Sequence, residues 1–232
     1  MKSLKYNLNW IPTKIARFLY SSLKKDDSYF LKSLFEDQGH LIYVHMPKAG
    51  GNSIEKGLKL RKTGHKPLKL FEIALSEKDY KSAVIFTFVR DPWSRLASAY
   101  YYLKSGKGSV EDNLWVEKNL SEVDDFKSFV KCYVNDNSVY NYIHLIPQIE
   151  FLKQWNGVPK ADFIGRLDNI EEDFLDLCKL INKPNLSLPH NNKTEKRFNY
   201  LDEYDEEMIE IVSMAYSEDI SFFNFPLPKA IL

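Results

Sequence analysis

Two short stretches combine a cationic side chain with small or hydroxyl-bearing residues, which suits the binding of an anion. The first, residues 47–53, reads Pro-Lys-Ala-Gly-Gly-Asn-Ser. Gly50 and Gly51 allow a tight turn whose backbone can come close to a ligand. Exposed backbone N–H groups, the positive end of a following helix and the Lys48 ammonium would then converge on one point. This stretch therefore predicts an anion site.

The second stretch places Arg90 and Ser98 within residues 88–98. A guanidinium can hold a phosphate through two parallel hydrogen bonds. Ser98 lies about two helical turns further along, where its hydroxyl can reach the same anion. The two stretches together predict a ligand with at least two anionic groups, one over the glycine turn and one near Arg90 and Ser98.

Each stretch follows a predicted strand and leads into a predicted helix. Residues 41–46 and 83–89 are apolar runs of the kind that forms buried strands. Pro47 ends the first strand because it has no N–H for the sheet ladder. Ligands of open α/β sheets bind at the carboxyl ends of the strands. If these two strands are neighbours, both turns face the same ligand.

The rest of the chain continues to alternate between strand and helix patterns, which predicts an α/β layer fold with a mainly parallel sheet. A helical pattern begins at Asn52 or Ser53, and Asp91 and Pro92 are suited to start another helix. The expected helices cover 68–80, 92–104, 124–134, 167–180 and 204–216, with one more starting near 147. We also expect a third strand over 159–165 and mobile or turn structure over 107–121.

Length and charge limit the classes of function. A chain of 232 residues can form one domain, and we assign residues 39–232 to it. Residues 1–38 form a basic, amphipathic extension that should pack on the domain, with contact to a membrane surface as the alternative. The balance of 32 basic and 32 acidic residues argues against a general nucleic-acid binder.

The cysteines and the apolar runs bear on the compartment. Cys132 and Cys178 lack the spacing of metal ligands, and we expect buried free thiols, with a bridge between them as the alternative. No apolar run reaches the ~18 to 20 residues of a membrane span, and the N-terminus lacks a secretory apolar core. These features predict a cytoplasmic protein.

The two anion-binding stretches resemble motifs of the sulfotransferases. Residues 47–53 resemble the 5′-phosphosulfate-binding loop, usually P-K-T/A-G-G-T-S, and residues 88–100 resemble the 3′-phosphate-binding motif. Residues 163–169 and 188–192 are more loosely similar to the carbohydrate sulfotransferase branch, sulfotransferase family 2. The resemblance runs from about residue 40 to 225. Ala49 and Asn52 depart from it, since threonines are common at both positions.

This resemblance implies a P-loop-like three-layer fold, with a central, mainly parallel sheet flanked by helices. It implies the donor 3′-phosphoadenosine-5′-phosphosulfate (PAPS), the product adenosine 3′,5′-bisphosphate and no metal. The acceptor would be a hydroxyl, less often an amine, of a carbohydrate or glycoconjugate. Lys48 would be catalytic, and the remaining donor contacts would come from Pro47, Ala49, Gly50, Gly51, Asn52, Ser53, Arg90, Ser98 and Arg166.

A base for the acceptor must come from elsewhere in the chain. His65 follows the helix after the first motif, where family members often place a catalytic histidine, and an ordinary histidine titrates near neutral pH. His144, Glu55 and Glu72 are the alternatives, and we expect His45 to be structural.

Two other functions compete with sulfuryl transfer. A P-loop kinase would place its lysine after the glycines, in G-x-x-x-x-G-K-[ST], whereas Lys48 precedes Gly50 and Gly51. A non-catalytic nucleotide-binding or interaction module of the same fold would not need Lys48, Arg90 and Ser98 together.

Overall fold

Three parallel strands form the centre of the protein, in a computed structural model that describes residues 25–189 and 200–228. The strands are β1 (Leu41–Val44), β2 (Val84–Val89) and β3 (Phe163–Arg166), and β2 lies in the middle. Leu41 pairs with Val84, and Phe86 pairs with Phe163. The two predicted strands are therefore neighbours, and their carboxyl ends lie side by side.

Helices cover both faces of this sheet. The α-helices of the described residues are α1 (Lys25–Asp37), α2 (Gly51–Leu58), α3 (Leu68–Ala74), α4 (Glu77–Ser82), α5 (Pro92–Lys104), α6 (Val110–Asn119), α7 (Phe126–Ser128), α8 (Gln148–Leu152), α9 (Ile170–Leu180), α10 (Glu206–Ala215) and α11 (Ser217–Phe223). A π-helical turn, Phe129–Tyr133, continues α7. Short 3-10 turns lie at Ser138–Tyr140, Leu167–Asn169 and Tyr200–Glu203.

The side chains of β1 and β2 alternate between two hydrophobic cores. Ile42 and Val44 of β1 enter the larger core, which includes α1 and α5, whereas Leu41 and Tyr43 enter the smaller one, with α2 and α9. Such burial on both faces explains why the sequences of β1 and β2 are apolar without a polar alternation. The predicted α/β fold with a mainly parallel sheet flanked by helices is confirmed.

Helix α5 forms as the sequence predicts. The Asp91 side chain accepts a hydrogen bond from the Ser94 N–H at 2.8 Å, and Pro92 occupies the first turn. The apolar side of α5 is buried in the larger core, at Trp93, Leu96, Ala97 and Tyr100.

The prediction of mobile or turn structure over 107–121 was wrong. Helix α6 runs through this stretch, and a capping box fixes its start: Ser109 accepts from the Asp112 N–H at 3.1 Å, and Asp112 accepts from the Ser109 N–H at 2.8 Å. These reciprocal bonds satisfy backbone donors that the first helical turn leaves open.

Other boundaries also differ from the predictions. The single helix predicted over 68–80 is two helices, because Ser76 caps a new helix by accepting from the Asp79 N–H at 3.1 Å. Strand β3 begins at Phe163, later than predicted. A further helix, α11, follows the predicted helix over 204–216 and was not predicted.

The described end of the predicted N-terminal extension is the helix α1. Its residues Leu31, Leu34 and Phe35 are buried in the larger core, whereas residues 1–24 lie outside the described part. The boundary between 38 and 39 stays a prediction. Cys132 and Cys178 are both free thiols, but Cys132 is exposed rather than buried. Within residues 25–189 and 200–228, no helix has the length and apolar character needed to cross a bilayer.

Candidate active site

The turn after β1 brings backbone close to a cleft. Lys48 and Gly50 have φ angles of 65° and 81°, in the left-handed region, and α2 starts at Gly51. A Cβ on Gly51 would lie 1.8 Å from His45 Nε2. Gly50 therefore supplies the left-handed turn that glycine adopts without strain, and Gly51 supplies the space for the His45 ring.

The side chains of this turn divide between the cleft and the core. Lys48, Asn52 and Ser53 line the cleft, whereas the Ala49 side chain is buried in the larger core. Ala49 therefore contributes no side chain to the cleft. The Ser53 N–H donates to the Gly50 carbonyl at 3.0 Å, so Ser53 offers the cleft its hydroxyl rather than its N–H.

The turn after β2 holds Arg90 through its backbone and its side chain. Gln148, fully buried, accepts from the Arg90 N–H at 3.0 Å and donates to the Arg90 carbonyl at 2.8 Å. Arg90 Nε donates to the Ser94 hydroxyl at 3.0 Å, and Nη1 lies 3.4 Å from the Lys48 carbonyl oxygen. The guanidinium is thereby fixed between the two turns.

These two turns face one cleft of about 440 Å³. Ser98, on the second turn of α5, lines it together with Arg90. The complete lining consists of His45, Lys48, Gly50, Gly51, Asn52, Ser53, His65, Arg90, Ser98, Tyr102, His144 and Leu167. Residues of both predicted anion-binding stretches and the predicted base therefore meet at the carboxyl ends of neighbouring strands.

The surroundings of Lys48 in the cleft lower the pKa of its ammonium group. Burial, followed by the nearby charge of Arg90, lowers the pKa of Lys48 to about 8, and the Asp112 carboxylate opposes the shift. Lys48 Nζ lies 4.0 Å from the centre of the Tyr102 ring. Because Arg90 disfavours the charged form of Lys48, an anion bound between the two cations would stabilise this site.

A hydrogen bond shows which ring nitrogen of His65 carries the proton. His65 Nδ1 lies 3.0 Å from the carbonyl oxygen of His45. A carbonyl can only accept, so Nδ1 carries the proton and Nε2 carries the lone pair in the neutral ring. Burial lowers the pKa of His65 below its usual 6.5, which keeps Nε2 available as a base near neutral pH.

His45, whose carbonyl oxygen accepts the hydrogen bond from His65, is itself held in place by Glu55. His45 Nδ1 lies 3.0 Å from the buried Glu55 carboxylate, which also accepts from the Thr63 N–H and hydroxyl at 2.9 Å and 3.0 Å. Burial raises the pKa of Glu55, but these hydrogen bonds outweigh burial and hold it below its usual value. Glu55, one of the alternative bases, is thus engaged in fixing His45, whose ring also borders the cleft.

Asp112 is the residue at this site that the sequence did not reveal. Its carboxylate accepts from the hydroxyls of Tyr102, at 3.0 Å, and Tyr142, and from His144 Nε2 at 3.2 Å. Burial raises the pKa of Asp112, but hydrogen bonds from Tyr142, the Ser109 N–H and Tyr102 lower it to about 2. The available signal was the Ser-x-x-Asp spacing of the capping box, which locates a helix there but not a contact with the cleft.

His144 is neutral and turned toward Asp112. Burial lowers the pKa of His144 to about 4, although the Asp112 charge opposes this. Since the carboxylate accepts, Nε2 is the protonated nitrogen, and the remaining lone pair is on Nδ1, which is buried without a hydrogen-bond partner in the described structure. His144 is therefore less suited than His65 to take a proton from a ligand.

Two sequence candidates, Arg166 and Glu72, lie away from the cleft, as does the neighbouring Arg95. The Arg166 guanidinium donates to the carbonyl oxygen of Phe223 and lies over the Phe225 ring, while Leu167 is the cleft residue from that segment. Arg95 is buried and donates to the carbonyls of residues 144–146. The Glu72 carboxylate accepts from the Trp155 N–H at 2.6 Å.

Two sequence expectations concern other residues. Pro47 is buried beside the turn and does not line the cleft. Of residues 188–192, the part from residue 190 onward lies outside the described residues. In the part of the chain that the structure describes, no group of three or more His, Cys, Asp and Glu side chains is arranged to hold a metal ion.

Comparison with known proteins agrees with this arrangement. A family model described as the sulfotransferase family matches residues 32–226. An uncharacterized protein of Archaeoglobus fulgidus is 28% identical over 118 residues, which cover 51% of this chain and 83% of that relative. No solved structure matches significantly. Since the family model covers most of the chain, including both anion-binding turns, this protein belongs to the sulfotransferase family.

Proposed function

We propose that the protein transfers a sulfuryl group from PAPS to a hydroxyl of a carbohydrate-type acceptor by in-line displacement. The observation that carries this proposal is the convergence of Lys48, Arg90 and Ser98 with the glycine turn and His65 on one cleft. The two cationic turns match the two anionic ends of a 3′,5′-substituted adenosine nucleotide. PAPS supplies the activated sulfuryl group of this reaction.

The donor end of the cleft is the turn that carries Gly50 and Gly51, which line it together with Asn52 and Ser53. A Cβ on Gly50 would lie only 2.7 Å from Leu167 Cδ1, so the turn can pack against Leu167 only with a glycine at this position. We assign the 5′-phosphosulfate to this turn, with the Asn52 and Ser53 side chains. We assign the 3′-phosphate to Arg90 and Ser98, which would distinguish this donor from ATP.

The chemical step requires a base and a cation on opposite sides of the sulfur. In the proposed step, His65 Nε2 takes the proton of the acceptor hydroxyl as the acceptor oxygen forms its bond to sulfur. The bond between sulfur and the 5′-phosphate oxygen breaks, and the Lys48 ammonium neutralises the charge that develops on that oxygen. As in phosphoryl transfer, most of the catalysis would come from positioning and from charge stabilisation.

Thermal unfolding tests the donor assignment. Adenosine 3′,5′-bisphosphate at 100 times its Kd should add ~2.7 kcal/mol of stability, a shift of roughly 5 to 10 °C in a domain of this size. ATP and AMP should give much smaller shifts. Arg90→Ala should lose the shift, whereas Arg61→Ala, an exposed arginine paired with Asp37, should keep it.

The other outcomes favour other functions. A shift with ATP and Mg²⁺ but not with the bisphosphate would favour a kinase. A full shift with the bisphosphate, but no transfer to a broad acceptor panel, would favour a non-catalytic nucleotide-binding module. The carbohydrate acceptor rests on the looser similarity of residues 163–169 and 188–192. Contact of the N-terminal extension, residues 1–38, with a membrane stays a prediction.

A further inference from the structure

A second, apolar groove of about 360 Å³ opens next to the donor cleft. It is lined mainly by Pro67, Tyr140, Ile143, Ile146 and Phe151. Tyr140 and Ile143 are 40% and 36% exposed, although both are large apolar side chains. Large apolar side chains that share an open concave surface mark a binding site more often than isolated ones do.

The groove adjoins the proposed reaction site. His65 lines both the donor cleft and the groove. On the segment between the 3-10 turn Ser138–Tyr140 and helix α8, His144 borders the donor cleft while Ile143 and Ile146 border the groove. This segment therefore separates the two spaces, and His65 stands at their junction.

The chemistry of the lining limits what can occupy the groove. The five main lining residues offer one side-chain hydroxyl, that of Tyr140. The charged residues at its border are Lys69 and Glu150, and the Glu150 carboxylate is paired with Lys153. A ligand covered with hydroxyls would leave most of them without partners there, which costs binding free energy. An alkyl or aryl group would instead gain from contact with the isoleucine and aromatic side chains.

From this lining and its junction with the donor cleft, we propose that the acceptor is amphiphilic: its reacting hydroxyl lies at His65 and an attached apolar group occupies the groove. The proposal rests on the proposed function, because His65 is the base only if sulfuryl transfer takes place. It narrows the acceptor from carbohydrates in general to hydroxyl compounds that carry an alkyl or aryl group near the reacting hydroxyl.

Calorimetric titration with two alkyl glucosides tests the proposal. Methyl β-glucoside and octyl β-glucoside carry the same hydroxyls and differ in the alkyl chain. Both are titrated, the octyl compound below its micellar concentration, into protein saturated with adenosine 3′,5′-bisphosphate. If two or three methylene groups enter the groove, the octyl compound should bind roughly 15-fold to 60-fold more tightly.

Three variants locate the effect: two in the groove and one matched control outside it. Ile143→Gln should reduce the advantage of the octyl compound by roughly fivefold to tenfold, and Tyr140→Ser should also reduce it. Ile164→Gln, at a residue of nearly equal exposure on β3, should leave it unchanged. Melting temperatures of all three variants show whether each is folded.

Several results would overturn the proposal. Equal affinity for the two glucosides, no binding of either, or an unchanged advantage in Ile143→Gln would exclude an apolar acceptor group from the groove. A dimer that dissociates in Ile143→Gln, seen by sedimentation, would assign the groove to a second copy of the chain. If the bisphosphate does not bind, the donor assignment fails, and the same glucoside comparison on the free protein still decides about the groove.

Discussion

The two sides of the cleft are built in different ways. The donor side consists of two strand-to-helix turns, after β1 and after β2, which adjacent parallel strands place next to each other. The opposite side consists of His65, Tyr102 and His144, which come from separate segments. Asp112 on α6 joins the last two by hydrogen bonds to Tyr102 and His144.

The functional groups on the two sides of the cleft are therefore held in place by different interactions. On the donor side, backbone conformation places the groups, since the left-handed Gly50 and the close contact of Gly51 with His45 fix the turn. On the opposite side, side-chain hydrogen bonds place the groups, since Asp112 and the His45 carbonyl orient the rings around them. The donor side should therefore fail abruptly when a single residue changes, and the opposite side should lose function in steps.

The largest loss should follow a change at the donor side. Lys48→Met removes the cation from the proposed leaving group and should lower kcat by about 10²-fold to 10³-fold. Steady-state transfer from labelled PAPS to the best acceptor of a panel measures this loss. Lys56→Met, at an exposed position of α2, serves as the control. Equal activity of the two variants would remove Lys48 from the chemistry.

His65→Gln tests the base on the opposite side, with an expected loss of about 10²-fold or more in kcat/KM at neutral pH. The pH profile of the unmodified protein should rise as pH climbs through the pKa of His65, below 6.5, because the neutral ring is the base. It should fall as pH passes about 8, where Lys48 loses its charge.

The pH profile of His65→Gln tests which residue causes the acid limb and which causes the alkaline limb. In His65→Gln, the acid limb should disappear while the alkaline limb near the Lys48 pKa of about 8 remains. The exposed His40→Gln should keep the complete profile. An acid limb that survives in His65→Gln would assign the base to another group.

Gly51→Ala tests whether the donor side depends on backbone contact. The new methyl group would meet the His45 ring, at 1.8 Å from Nε2, and should cost about 2 to 3 kcal/mol. We expect the melting temperature to fall by about 4 to 12 °C, together with loss of bisphosphate binding. Gly106→Ala, where a Cβ meets nothing within 4 Å, should cost only about 1 kcal/mol from its left-handed φ. A Gly51→Ala protein as stable as Gly106→Ala would contradict the close contact.

Asp112→Asn should produce the smallest kinetic effect, roughly a tenfold loss in kcat/KM. Asparagine keeps the size of the side chain but removes its charge. Because the Asp112 charge raises the pKa of Lys48, the alkaline limb should move to lower pH in the variant. A purely structural role would lower stability without moving that limb.

The lowered pKa of Asp112 also predicts how the stability of the folded protein changes at acid pH. Its pKa in the folded protein is about 2, below the ~3.9 of an unfolded chain. The stability that it contributes is therefore present above pH 4 and is lost as pH falls toward 2. Acid unfolding followed by circular dichroism should be less steep in Asp112→Asn than in the unmodified protein. Identical acid unfolding curves would contradict the hydrogen-bonded carboxylate.

The donor side could be predicted from sequence because its determinants are local. Lys48 and Gly50–Gly51 follow one apolar run, and Arg90, Asp91 and Pro92 follow another, so short-range rules locate both turns. The pairing of β1 with β2 then brings the turns together. The same rules predicted Arg166 at the donor, but its side chain turns to the carbonyl of Phe223, a tertiary contact that no local pattern contains.

The opposite side could not be predicted to the same extent because its contacts link distant segments. The Ser109-x-x-Asp112 spacing marks a helix start, although we predicted a mobile loop or turn over 107–121. The side chains of Tyr142 and Tyr102 reach Asp112 from 30 and 10 residues away. Tyr102 reaches the cleft from the end of α5, and its bond to Asp112 is a contact that no local pattern contains.

Calorimetric titration of adenosine 3′,5′-bisphosphate and adenosine 5′-monophosphate tests the central claim most directly, because these ligands differ only in the 3′-phosphate. If Arg90 and Ser98 hold that phosphate, the bisphosphate should bind roughly 100-fold more tightly, and Arg90→Ala should remove most of this preference while Arg61→Ala keeps it. Equal affinity of the unmodified protein for the two nucleotides would contradict the proposed donor site.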